Sequence, residues 1–138
     1  MDWERYKDHF NRHNLFPEWI NAKLTVVRED YAEVEMVTDE RHKNSASIVH
    51  GGAIYTIADT AAGAMVRTRG KNCVTLEGKL NYLHAGSIEE SCLKAIARPL
   101  HMGRHTGVVE CRVVDEKETL IAVGVFTMYI LDSDVVLD

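Results

Sequence analysis

The alternation of apolar and polar positions divides the chain into a short helix, two strands, a long helix and four further strands. Trp3, Tyr6 and Phe10 recur at helical spacing, which predicts an opening helix capped by Asp2 and broken by Pro17. Residues 23–29 are rich in β-branched side chains. Residues 31–37 alternate Ala32, Val34 and Met36 against Tyr31, Glu33 and Glu35, so both runs read as strands. A polar loop from Asp39 to Ser47 leads into a long apolar segment. From about residue 72 the period is two: Val74, Leu76, Leu80 and Tyr82 oppose Thr75, Glu77, Lys79 and Asn81, and Leu93, Ala95 and Ala97 oppose Lys94 and Arg98. Val109, Cys111 and Val113 repeat the pattern before a hairpin turn at Asp115 to Thr119. Residues 120–131 are apolar on both faces, which predicts either a central strand covered twice or an outer face closed by a second subunit. Strands segregated from helices predict an α+β domain with an antiparallel sheet.

The long helix changes the picture from architecture to chemistry. Residues 51–66 are small or apolar around nearly the whole circumference, with Asp59 as the only charge, so the helix is expected to be buried on all sides. It is too short and too rich in glycine to span a bilayer. The physical solution is a sheet wrapped around it, with Ala53, Ala58, Ala61, Ala62, Gly63 and Ala64 permitting close approach by the sheet or by a second helix. A carboxylate in such a helix must be paired or hydrogen-bonded. Asp59 is therefore either a structural acid satisfied by a neighbour such as Thr60 or Tyr55, or a functional one. His50-Gly51-Gly52 opens the helix with free N–H groups, a ready site for an anion or for the oxyanion formed when a carbonyl is attacked. His50 and Asp59 are nine residues apart, about 13 Å along one helix and on opposite sides. Two helices packed about a two-fold axis would instead set the N-terminus of one beside Asp59 of the other, giving an isologous dimer with composite sites.

Composition narrows the partners. At 138 residues the chain fits a single domain spanning 1–138, with residues 1–20 as a helical extension. A net charge of −5 and a pI near 5.8 give no global attraction to nucleic acid or to an anionic membrane. The start of the chain shows no signal or transit pattern, which points to the cytoplasm. Cys73, Cys92 and Cys111 are odd in number and lie in strands, so they read as buried thiols. No cysteine or histidine spacing suggests a metal site, and none is expected.

Asn44-x5-His50-Gly51-Gly52-x6-Asp59, running from a polar loop into an Ala/Gly-rich helix, resembles the hotdog-fold acyl-CoA thioesterases, most closely the phenylacetate-degradation (PaaI-like) branch. Asn81-Tyr82-Leu83 and Gly103-Arg104 extend the similarity over nearly all the chain after residue 20. The resemblance implies an antiparallel sheet around a central helix, hydrolysis of an acyl- or aryl-CoA thioester to the acid and free CoA, no cofactor beyond the coenzyme A of the substrate, and a homodimer as the minimal active unit within a dimer-of-dimers tetramer. It further implies Asp59 as general base or nucleophile, Gly51 as the N–H that polarises the carbonyl, and Asn44 and His50 as partner-subunit residues orienting carbonyl or water. His84 falls where relatives place a polar residue lining the site. Two departures stand out: Ser47 replaces a glycine common three residues before the histidine, and His84-Ala85-Gly86 replaces a frequent polar-Pro pair.

Coenzyme A needs cations for its phosphates. Arg98, His101, Arg104 and His105 bracket a Pro99/Gly103 loop and are the first candidates, with Arg67, Arg69 and Lys71 second; each set also reads as ordinary solvated charge. Gly52, Gly63 and Tyr55 join His84, Arg98, Arg104 and His105 as expected substrate contacts, and Tyr55, Ile54, Met65 and residues of the final strands are expected to line the acyl pocket. Competing readings are a hotdog 3-hydroxyacyl-thioester dehydratase or hydratase, and a non-catalytic acyl-CoA-binding module.

Overall fold

The structure, a computed structural model, describes residues 1–138. Helix α1 (Trp3–His13) and a 3-10 turn (Phe16–Ile20) precede β1 (Ala22–Arg28) and β2 (Tyr31–Val37); α2 (Gly51–Arg67) follows, then β3 (Lys71–Tyr82), β4 (Cys92–Met102), β5 (Thr106–Val114) and β6 (Leu120–Asp134). All neighbours pair antiparallel, in the order β1-β2-β4-β5-β6-β3, so a single six-stranded sheet curls around α2. The expected α+β architecture and element order are realised.

The core lies between α2 and the concave face of the sheet. Ile54, Ile57, Ala58, Ala61, Ala62, Met65 and Val66 are buried against Leu93, Ala95, Ala97, Val109, Cys111 and Val113. Burying such side chains contributes roughly 25 cal/mol per Å² of apolar surface, so this face supplies much of the drive to fold. Alanines on the helix let the sheet come close enough for Cys111 Sγ to reach the Ala58 carbonyl at 3.3 Å. The helix is not buried all round, as its composition led one to expect. Thr56, Asp59, Thr60 and Arg67 are only half-buried and Gly52 is exposed, leaving an open strip along one side. The sheet packs on the other side of α2, through Ile54, Ile57, Ala58, Ala61, Ala62 and Val66, and does not extend over this strip.

Helix α1 is part of the same core rather than an appendage. Asp2 caps it by accepting from the Arg5 N–H, Tyr6 and Phe10 are buried, and the Tyr6 hydroxyl donates to the Ala64 carbonyl of α2 at 2.7 Å. Asn11 pairs with both backbone groups of Leu24, each at 2.9 Å, on the outer edge of β1. The C-terminal segment folds back over α1, where Asp138 meets Arg12, His9 and His13.

The structure corrects three further expectations and narrows a fourth, that for β6, to its second alternative. In β3 the register shifts between Thr75 and Glu77, so the strict alternation breaks. Cys73 and Thr75 face the helix before the shift, whereas Gly78 and Leu80 pack against it afterwards; Val74 and Leu76 stay 50% and 59% exposed. The shift places Gly78 under the Tyr55 hydroxyl, which donates to the Gly78 carbonyl; a Cβ there would stand 2.2 Å from that hydroxyl oxygen, so only glycine fits. Strand β6 is not covered twice, because Val125 and Tyr129 on its outer face are exposed. Pro99 lies inside β4 at a register shift rather than in the hairpin loop, and Cys92 is half-buried.

Candidate active site

Residues that could handle a carbonyl gather at two separate places on α2. The first surrounds its N-terminus. Asn44, Gly51, Ile54, Tyr82 and His84 are among the residues lining a cavity of about 380 Å³. Asn44 shapes the approach to it: its Oδ1 accepts from the N–H of Ala46 and of Ile48, closing a tight turn. Ser47 sits in that turn at φ 60°, the left-handed region that favours glycine, so its departure from the common glycine is paid in backbone strain. His50 caps α2 by accepting the Gly52 N–H at Nδ1, 2.8 Å away, which assigns its proton to Nε2. That bond occupies the Gly52 N–H. The Gly51 N–H has no acceptor within the chain, while the Gly51 carbonyl accepts from the Tyr82 hydroxyl at 2.8 Å. A single free N–H at the positive end of a helix is thereby presented to the cavity.

The second place is the middle of the helix. Asp59 lines a cleft of about 230 Å³ with Thr60, Gly63, Thr75 and Met128 among its neighbours. Its Oδ1 accepts from the Thr75 hydroxyl at 2.6 Å. The satisfying partner is thus neither Thr60, whose hydroxyl donates to the Thr56 carbonyl, nor Tyr55. One carboxylate oxygen is held while the other is left to the cleft. The negative charge is felt nearby: burial first, then Asp59, pushes the Tyr55 hydroxyl above its ordinary range. Cys73 also lines the cleft, but burial pushes its thiol up and it donates weakly to the Gly63 carbonyl, so it offers no thiolate. Asp59 is the only carboxylate in the cleft.

Eight residues separate Gly51 from Asp59, about 12 Å along the axis. The structure brings Asn44, Gly51 and His84 together and sets Asp59 and Gly63 apart from them within one chain. Tyr55 is engaged with the Gly78 carbonyl and lines neither cavity; Met65 is fully buried in the core. Arg98, Arg104 and His105 lie on β4 and the β4–β5 hairpin, with the Arg98 guanidinium 5.1 Å from the Tyr31 ring centre, and border neither cavity. Thr75 was missed in the sequence, where strict alternation put it on the polar face; only the register shift turns it inward.

An antiparallel sheet rolled around a long central helix is the hotdog architecture. The model of the thioesterase superfamily matches residues 46–122, and the chain belongs to that family; it is a thioester hydrolase. It is 31% identical over 131 residues to a provisionally named esterase of Archaeoglobus fulgidus, covering 95% of this chain and 84% of the relative. Its fold is that of the PaaI branch: the structure of PaaI from the phenylacetic acid degradation operon of Escherichia coli superposes with a TM-score of 0.85, at 20% identity, over 96% of this chain and 98% of the other. A hypothetical thioesterase of Streptococcus pneumoniae, crystallised with coenzyme A, superposes with a TM-score of 0.76 at 26% identity, over 80% and 86%. Two further structures of that protein carry alanine for an aspartate and for a threonine sixteen positions apart, the separation of Asp59 and Thr75 here.

Proposed function

We propose that the protein hydrolyses an acyl-CoA thioester to a carboxylic acid and free coenzyme A, in sites shared between two copies of the chain. The observation that carries the reading is the division of labour along α2. The free Gly51 N–H and the Thr75-bound Asp59 carboxylate are complementary in chemistry, yet too far apart to serve one carbonyl from one chain. The half-buried strip of α2 is where a second α2 would pack, setting each Gly51 beside the partner's Asp59. A dimer of dimers is the assembly proposed, as the family resemblance implies.

In such a site the Gly51 N–H polarises the thioester carbonyl and stabilises the oxyanion. Asp59 either removes a proton from the attacking water or attacks the carbonyl carbon itself, and the CoA thiolate leaves. Thr75 fixes the carboxylate rotamer, so the reactive oxygen is aimed before substrate arrives. Asn44 keeps two amide donors beyond its turn-forming oxygen, and the Nε2–H of His50 is available as a donor; both suit the carbonyl or the water. Coenzyme A bound to the Streptococcus relative supports the choice of thioester. Three unpaired cysteines fit a reducing, cytoplasmic setting.

Thiol release across a panel of CoA thioesters tests the proposal. Asp59→Asn is expected to keep the fold and lower kcat roughly a thousandfold. Near-wild-type hydrolysis by that variant overturns the assignment.

A further inference from the structure

Beyond the reacting carboxylate, the cleft ends in positive charge. Asp59, Gly63 and Arg67 follow one another at intervals of four along α2, the first and last half-buried and Gly63 buried between them, and all three line the same cleft, walled by Phe10 of α1 and Met128 of β6. Gly63 supplies the floor: a Cβ there would stand 3.0 Å from Arg67 Nη1 and 3.7 Å from Met128 Cε. The same contact shows that the Arg67 side chain folds back over Gly63, toward Asp59, rather than out past the helix end. Its Nη2 donates to the Cys73 carbonyl at 2.8 Å. No carboxylate stands within ion-pairing distance of Arg67, although the half-buried site makes an unpaired guanidinium costly. Asn14, the C-cap of α1, borders the cleft beside it, and its side-chain amide makes no hydrogen bond within the chain. A larger cavity of about 400 Å³ lies beyond, and Phe10, Asn14 and Arg67 border both.

The geometry points to a specificity site: Arg67 and Asn14 receive a carboxylate at the far end of a short acyl chain, so the substrate class is ω-carboxyacyl thioesters. This rests on the proposed hydrolase and names its substrate. An acyl chain whose carbonyl lies at Asp59 and which follows the glycine floor for one helical turn, roughly 6 Å, reaches the guanidinium with about four to five carbon atoms. A planar guanidinium with unused N–H groups suits two carboxylate oxygens at once. A methyl-ended chain of equal length would leave the same donors desolvated and unmatched, and selectivity follows from that penalty.

Binding of two non-hydrolysable CoA thioethers, matched in length and ending in carboxylate or in methyl, tests this without turnover. The wild-type protein is expected to bind the carboxylate-ended compound at least about tenfold tighter. Arg67→Met should abolish that ratio by weakening the carboxylate-ended compound and not the methyl-ended one, which is bound as tightly or tighter once the unmatched donors are gone; Arg67→Lys should retain part of the ratio, and Asn14→Leu should lower it about threefold. Equal affinities for the two compounds in the wild type, or equal weakening of both by Arg67→Met, overturn the inference. Thiol release by the wild type reports separately on the hydrolase itself, so failure of one reading is distinguishable from failure of the other.

Discussion

The N-terminus and the middle of α2 solve opposite electrostatic problems with the same helix. At the N-terminus the chain removes side chains and consumes one N–H with His50, leaving the Gly51 N–H as a single directed donor. At the middle it keeps a full negative charge and restrains it with one hydroxyl from the neighbouring strand. The first region works by backbone geometry, and a Cβ at position 51 would already touch the Tyr82 ring at 3.4 Å, so a branched side chain has little room there. The second works by side-chain chemistry and depends on a strand irregularity. A backbone donor cannot be mistuned by rotamer choice, whereas a carboxylate can, so the protein spends its extra hydrogen bond on the carboxylate.

If the two regions cooperate only between copies, separate damage to each should be repairable by mixing. Asp59→Asn and Gly51→Val are each expected to be inactive. Co-expressed and purified without separating the dimer species, they should regain about a quarter of wild-type activity per chain, because statistical mixing leaves about half the dimers mixed, each with one intact site of two. Mixed dimers as inactive as their parents would break the comparison by placing both regions in one chain's site. Thr75→Val, which keeps shape and removes the donor, should lower kcat by about tenfold to a hundredfold with little change in KM, since it frees the rotamer without deleting the charge. A larger effect on KM than on kcat would mean that Thr75 binds substrate instead. The smallest effect belongs to the loop before the helix. Ser47→Gly should raise stability in urea melts by roughly 1 kcal/mol, by relieving the left-handed backbone. Unchanged hydrolysis in this variant would show that Asn44 is held by its own turn and not by strain at Ser47.

Local rules carried most of the architecture. Asp2, Pro17 and the Asp115–Thr119 turn act on residues close in sequence, so periodicity and capping chemistry located their elements. Asp59 was visible as the one charge on an otherwise small and apolar helix. What lay hidden depends on pairing partners far along the chain. The register shift in β3 arises against β6, fifty residues away, and it alone turns Thr75 toward the acid. The folded-back pose of Arg67 depends on Gly63 beneath it and Cys73 across from it, a combination that no period of two or 3.6 encodes. Likewise the open strip on α2 follows from where the sheet stops, not from helical composition.

Asn11 has a bearing on how copies can join. By occupying both polar groups of Leu24, its amide acts as a false neighbouring strand and closes one rim of the sheet. The rim at β3 carries no such plug. A ribbon with one sealed border cannot lengthen indefinitely by adding strands; at most two copies meet at their open borders and growth stops there.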